Sequence, residues 1–350
     1  YHSYGIDFSG LSGNIVKEDN DTLSINFSSP SFNFHEILSL PIFSIAHKKT
    51  IEKYPDYGRP GGYFNPVVPV VGTGPYRFVE WVNGQFLILA SNPNYHGKTS
   101  NLERLEFRLY NDLSIAVHDF IAYDLDVIIL DGKNFLEVIK EYPELKDSTE
   151  KFLTGNKYYL GFNLAKEPFD RLEARNAVIK ALDSGKIEKE AGGTIKHLKG
   201  LGKGDAQAAK EMLVKLGYDS DNENSLKVVL GFTEGYVQRT IAESIKKQLE
   251  ALGMEVSLRE FSDDSEAKSL ADLFVLEQTS TADDFKGQEL KNEGDNEEDK
   301  DKSNAVGEEN QILIPIAQRY NFYCVHDWVK FAVNQETGLI DFLKTEKDSG

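Results

Sequence analysis

Apolar and polar residues alternate with period two in Thr22-Leu-Ser-Ile-Asn-Phe27 and again at Tyr76–Val82, Phe86–Ala90 and Leu105–Tyr110, which predicts strands. Asn83-Gly84 supplies hairpin turn chemistry between the runs at Tyr76 and Phe86. The pattern over His35–Ile51 predicts a helix interrupted near Pro41, and the segment from Tyr54 to Pro75 is dense in Pro and Gly. Residues 112–122 and Asn134–Tyr142 predict helices on either side of a short apolar strand, Val127–Leu130. This alternation suits an α/β sheet.

The second half repeats that grammar. Lys157-Tyr-Tyr-Leu-Gly-Phe-Asn163 reads as a strand, and Pro168 opens a helical stretch in which Leu172, Val178, Ile179 and Leu182 are placed toward a core. Residues 205–216 predict a helix that stops at Gly217. Leu226–Phe232 is a strand, after which Val237, Ile241, Ile245, Leu249 and Leu252 recur at helical spacing before Gly253. Met254–Leu258, Leu273–Leu276, Ile312–Ile316 and Phe322–Val325 are four further strands. From Lys286 to Asn310 the apolar residues nearly vanish, and this acidic run is read as a solvated or disordered insert, with a cation-binding acidic patch as the alternative.

The stretch Val71-Gly-Thr-Gly-Pro-Tyr-Arg-Phe-Val-Glu-Trp81 has the glycines of a phosphate loop without its other parts. A third glycine and a following helix are missing, and Pro75 removes a backbone donor. It is read instead as a chain reversal into a strand, with glycine supplying positive φ and proline a fixed one.

Composition narrows the class. A length of 350 residues suits about two domains. The balance of 57 acidic against 39 basic residues, a net charge of −18, disfavours nucleic acid and anionic membrane surfaces. No eighteen-residue apolar run is present, and the chain opens at Tyr1 without a methionine or a leader, as a trimmed piece does. The single cysteine, Cys324, excludes an internal disulfide.

Candidate chemistry is sparse. The seven histidines include no i, i+4 pair for a helical metal site, and no Gly-x-Ser-x-Gly elbow occurs. No metal or other cofactor is expected, and nothing supports an enzyme. The aromatics are more informative: Tyr158, Tyr159 and Phe162 flank one strand linking the two halves, and Tyr320, Phe322 and Tyr323 flank another. Two such crossings would line a cleft, although alternation sends every second ring into a core.

The order of motifs resembles the peptide/nickel class of extracellular solute-binding proteins, family 5, which serve ABC importers. Val71-Gly-Thr-Gly-Pro-Tyr-Arg-Phe-Val-Glu-Trp81 is followed by Asn92-Pro-Asn-Tyr-His-Gly97 and Leu105-Glu-Phe-Arg108. Tyr158-Tyr-Leu-Gly-Phe-Asn-Leu-Ala-Lys-Glu-Pro-Phe-Asp170 with Arg175–Asp183 resembles that family's domain crossing. Ala208–Tyr218, Ile314-Pro-Ile316 and Thr337-Gly-Leu-Ile-Asp341 are similar to its later segments. The resemblance implies an α/β, two-lobed Venus-flytrap (periplasmic-binding-protein) fold of the class with an extra third domain, here incomplete. Residues 1–74 would be the remainder of the extra domain. Residues 75–163 would form lobe one, completed by 321–350, and 164–320 lobe two, with the acidic loop at 286–310.

The implied function is capture of an oligopeptide or similar small solute in an interlobe cleft, without catalysis, and delivery to a membrane permease. A monomer on the extracytoplasmic face, lipid-anchored through a segment outside this sequence, is expected. The alternative is a ligand-sensing regulatory or interaction domain derived from the same fold, and both readings stand at this point. The chain departs from the family where Leu273-Phe-Val-Leu-Glu-Gln-Thr-Ser-Thr281 would continue as Gly-Trp and then an aspartate for the peptide amino terminus: Glu277, Gln278 and Thr281 stand there instead. Asp283, with Glu277 next, is the expected replacement anchor. Tyr159, Phe162, Asn163, Gln278, Tyr320 and Tyr323 complete the expected ligand contacts, with closure about crossings near Asn163 and Tyr320.

Overall fold

The computed structural model describes residues 15–26, 47–53, 71–219, 224–279, 306–308, 311–334 and 338–348. The chain divides into two compact units, Tyr1–Gly72 and Thr73–Gly350. In the first, β1 (Ile15–Lys17) pairs antiparallel with β2 (Leu23–Ile25). The turn between them is held by Asp19, whose carboxylate accepts from the backbone N–H groups of Asp21 and Thr22. A short helix, α1 (Lys48–Lys53), follows; the part of the expected helix between His35 and Ala46 lies outside the described residues.

The second unit opens with β3 (Tyr76–Val82), β4 (Phe86–Ser91) and β5 (Arg104–Arg108), an antiparallel meander forming its own three-stranded sheet. Gly84, at φ 73°, makes the anticipated hairpin turn. Gly72 and Gly74 are a correction: neither adopts positive φ, and neither has a neighbour that an added Cβ would meet. The bend is held from outside, because Asn92 donates its Nδ2 to Gly74 O and its backbone N–H to Pro75 O, both at 2.8 Å. The carboxyl-terminal segment is tied to the meander through Ser100 Oγ donating to Phe342 O (2.7 Å) and an edge-on Phe107–Phe342 contact.

After α2 (Leu113–Ile121), β6 (Val127–Leu130) and α3 (Gly132–Glu141) comes the long strand β7 (Thr149–Asn163). Then follow α4 (Leu172–Ala181), α5 (Ser184–Glu190), β8 (Ile195–His197), α6 (Ala206–Lys215), β9 (Lys227–Thr233) and α7 (Tyr236–Glu250). The chain continues through β10 (Glu255–Phe261), α8 (Asp264–Leu270), β11 (Leu273–Thr279), β12 (Val306–Glu308) and β13 (Gln311–Val325). One eight-stranded sheet runs β10-β9-β11-β7-β13-β12, with β6 and β8 also on β13. β10, β9 and β11 are mutually parallel, whereas β7 and β13 run antiparallel to their partners.

Two cores share this sheet. Val117, Phe120, Ile128, Leu130, Val138, Phe322 and Cys324 form one, where β6 meets the end of β13. The larger packs Tyr158, Leu160 and Phe162 of β7 and Leu230 of β9 against the apolar faces of α4 and α7. On the opposite face of β7 a smaller cluster gathers Tyr159, Phe261, Phe274, Leu276 and Leu313. β13 thus contributes side chains to both cores while β7 pairs beside it, and the runs expected as separate strands at Ile312 and Phe322 are one strand with register shifts at Pro315/Ala317 and Gln318/Tyr320. Leu172 is a second correction: as the first residue of α4 it is 56% exposed, and the buried face consists of Ala174, Ala177, Val178 and Ala181. Two helices were missed, α5 and α8, each seven residues long and started by an aspartate cap, Asp183 and Asp263. The acidic run from 286 lies outside the described residues apart from β12, which pairs with β13. Among the described residues no helix is long and apolar enough to cross a membrane.

Candidate functional site

In open α/β sheets ligands meet the carboxyl ends of the parallel strands. Here those ends are Thr233, Phe261 and Thr279 of β9, β10 and β11. The chain leaves β9 through Glu234-Gly235 and turns at once into α7. Gly235 is required: its φ is 151°, and an added Cβ would stand 2.1 Å from Gln238 Oε1. That tight entry folds Gln238 back toward β11, where its Nε2 donates to Glu277 Oε2 at 3.0 Å.

Glu277 is the centre of a polar cluster. Its Oε1 also accepts from Asn156 Nδ2 of β7 (2.7 Å) and pairs with Arg319 Nη1 of β13 (2.9 Å). The side chains of Glu277 and Arg319 are 18% and 30% exposed, so the pair is largely desolvated. Tyr158, the register partner of Glu277 on β7, is 1% exposed, and its phenol is pushed far above the usual range by burial, with the Glu277 charge adding and Arg319 opposing. Asp264, in the first turn of α8, is raised by burial, with Lys268 opposing and Asp263 and Glu277 contributing like charge.

The β7–β13 crossing presents Arg319 to this cluster. At the register shifts the backbone groups are taken up locally: Thr154 Oγ1 accepts from Asn156 N (3.1 Å) and donates to Arg319 O (3.2 Å), and Gln318 Nε2 donates to Thr154 O (2.7 Å). The bulged strand is therefore satisfied while its side chains are re-aimed. Arg319 Nε is nevertheless buried and has no hydrogen-bond partner.

Of the residues singled out from sequence, Glu277 stands at this centre, whereas Tyr320, next to Arg319 in β13, packs against the Phe322 core with Lys151 Nζ 4.6 Å from its ring centroid. Gln278 is partly buried, on the opposite side of β11 from Glu277 by strand alternation, with Lys157 as its register partner. Tyr159 and Phe162 are 2% and 0% exposed, Tyr159 in the smaller cluster on one face of β7 and Phe162 in the larger core on the other. Asn163 sits at the end of β7, away from the irregular crossing, and Nδ2 donates to the carbonyls of Lys268 and Ala271 at the α8–β11 junction. Tyr323 is 1% exposed and donates its hydroxyl to Gly338 O. Thr281 and Asp283 lie outside the described residues. Asn156, Gln238 and Arg319 were not anticipated, although Arg319 is a charge within a mostly apolar strand, a pattern that calls for a partner. A separate cavity of about 590 Å³, bordered by Lys227, Glu250, Met254, Glu255 and Asp272, lies at the opposite ends of β9 and β10. Among the described residues no group of three or more His, Cys, Asp or Glu could hold a metal.

Two cores on a shared sheet, joined by two long crossing strands, define the two-lobed periplasmic binding-protein fold. The chain belongs to the bacterial extracellular solute-binding proteins, family 5, whose middle region matches residues 3–287. It is 22% identical over 274 residues to the dipeptide-binding protein DppE of Bacillus subtilis, covering 70% of this chain and 47% of DppE. Among solved structures, HbpA2 from Haemophilus parasuis superposes with a TM-score of 0.70 at 17% identity, covering 96% of this chain and 75% of the other. Haemophilus influenzae OppA in complex with RPPGFSPFR superposes at 0.60 and 18% identity, covering 95% and 75%. The chain spans 31–47% of the length of the first three curated relatives it matches.

Proposed function

We propose that this chain is the ligand-capturing part of a substrate receptor for an ABC importer, taking an oligopeptide or a similar small solute between its lobes without chemical change. The observation that carries the reading is the family match over residues 3–287, in a chain whose lobes are joined by β7 and β13 with a desolvated polar cluster at the crossing. DppE is a dipeptide-binding protein and OppA was solved with a nonapeptide, which favours a peptide. Residues 75–163 with 321–350 are proposed as lobe one, 164–320 as lobe two and 1–74 as part of a third domain, with the end of β7 from Tyr158 crossing over to pack in the core of lobe two. Among the residues picked from sequence Glu277 and Tyr320 are proposed to line the cleft, with Gln278, Thr281 and Asp283 following Glu277 in the chain. The receptor is proposed to work as a monomer outside the cytoplasmic membrane, held by a lipid anchor beside its permease.

A thermal-shift screen with pooled di- to pentapeptides tests this. Ligand at a hundred times its Kd stabilises a protein by about 2.7 kcal/mol, a readily measured rise in Tm. The expected result is such a rise with the peptide recovered intact by mass spectrometry. The absence of any shift at millimolar peptide, or hydrolysis of the peptide, would overturn the proposal.

A further inference from the structure

We infer that the Glu277 cluster reads an anionic end of the ligand, a carboxylate, through Arg319, and does not hold an ammonium through Glu277. This rests on the import-receptor reading above and adds the polarity of the site to it.

Glu277 is already engaged. A carboxylate offers about four lone-pair positions. Three are taken by Asn156 Nδ2, Arg319 Nη1 and Gln238 Nε2, all within 3.0 Å, and the Tyr158 hydroxyl flanks the same two charges. An incoming ammonium would have to displace donors that the fold holds in place. Each of them would then be left desolvated and unpaired.

Arg319 is in the reverse condition. Its guanidinium carries five N–H donors. Nη1 serves Glu277 and the guanidinium also meets the Tyr158 hydroxyl, while Nε is buried with no acceptor, a state uncommon enough to require a reason. The Nε and Nη2 hydrogens of a guanidinium point the same way, at the spacing of the two oxygens of a carboxylate. A ligand carboxylate on that edge would complete the only buried side-chain donor of this cluster that lacks a partner among the described residues. Arg319 is also the more exposed member of the ion pair, 30% against 18% for Glu277. Because Glu277 cancels its charge, the anion is selected chiefly by paired hydrogen bonds. Asp264, a further acid at this end of the sheet, is shared with Lys268.

The test uses the full chain and the tightest-binding tripeptide from the pooled screen, prepared as free acid, carboxyl-terminal amide and N-acetylated acid, with binding measured by calorimetry. Wild type should lose at least tenfold in affinity on amidation and less than threefold on acetylation. Arg319→Gln should bind acid and amide within threefold of each other, and Arg319→Lys, which keeps the charge without the fork, should retain a reduced preference for the acid. Circular dichroism and Tm monitor folding. If Arg319→Gln fails to fold, the wild-type and Arg319→Lys comparisons decide. Equal binding of acid and amide by wild type, or acetylation proving the costlier change, overturns the inference and leaves the import reading intact. If no form of any peptide binds, both fall together.

Discussion

Gly161 lies in mid-β7, directly opposite Phe274 of β11 and Leu313 of β13. An added Cβ there would stand 1.8, 2.3 and 2.5 Å from three atoms of the Phe274 ring, where ordinary contact begins at 3.4 Å. The ring is 0% exposed and packed among Tyr159, Phe261, Leu276 and Leu313, so it has no free space to enter. Forcing a methyl into a close-packed site costs about 1–3 kcal/mol. Reducing the unfolded chain's freedom returns about 0.4–1 kcal/mol, since Gly161 does not use positive φ. Gly161→Ala should therefore destabilise by about 1–2 kcal/mol. Phe274→Ala alone should cost about 3–5 kcal/mol as a core truncation. In that background the ring is gone, and Gly161→Ala should be neutral or stabilising by about 0.5 kcal/mol. The two changes are thus coupled by about 2 kcal/mol, far beyond the few tenths expected of independent sites. Urea denaturation of the four proteins, followed by circular dichroism, measures this. Additive effects, or an unchanged midpoint for Gly161→Ala alone, would refute the steric account of why a glycine sits under Phe274.

Asp264→Asn should raise Tm at neutral pH but not at acid pH, measured by scanning calorimetry between pH 3 and 8. Burial first, with nearby like charge added, raises the folded carboxyl above its unfolded value, so its favourable contribution is complete below the unfolded pKa and is lost as pH rises through the folded one. Asn163→Ala removes donations to the carbonyls of Lys268 and Ala271 and should lower stability by about 1–3 kcal/mol while leaving peptide affinity of the folded protein unchanged, as calorimetry would report. Glu277→Leu should cost about 2–4 kcal/mol by chemical denaturation, because Arg319 is left uncompensated; the joint Glu277→Leu, Arg319→Leu change should cost less than Glu277→Leu alone. Cys324 is 0% exposed and its thiol is raised by burial, with a Thr149 hydrogen bond opposing, so iodoacetamide should label it only when the chain is unfolded by urea.

The strands and long helices were legible because each has one face in a core. In α7, Val237, Ile241, Ile245 and Leu249 are all buried at helical spacing, and Gly253 closes the segment at φ 87°. Elements without that signal were missed: α5 buries Ile187 as its one large apolar residue and α8 buries only Ala267, too little for a period to emerge. Asp263 followed by Glu266 was a readable start signal for α8, since Asp263 caps Glu266 N and Glu266 reaches back to Ser262 N (3.2 Å). The bend at Gly72–Pro75 shows the opposite error: glycine suggested positive φ, whereas the shape is fixed from a distant strand end by Asn92. Both Asn92 and Pro75 were visible as motif residues, but a motif does not state which part of it donates to which.

The site was legible to the extent that a charge within an apolar strand is conspicuous. Glu277 ends the run Leu273-Phe-Val-Leu, and a carboxylate in such a place must have a partner or lose its charge, since isolated burial costs several kcal/mol. The sequence alone assigns that partner to a ligand. In the fold the partner is internal: Arg319 reaches Glu277 from β13, two strands away across β7, after bulges that no local pattern announces. The register shifts at Pro315/Ala317 and Gln318/Tyr320 re-aim side chains that an ideal strand would hold in strict alternation, so the face on which Arg319 emerges depends on tertiary pairing alone. The polarity of the cleft follows from the same fact. Once Glu277 is neutralised within the chain, the donors left over belong to Arg319, and an acid chosen from sequence as an anchor for a cation acts instead to position a base for an anion.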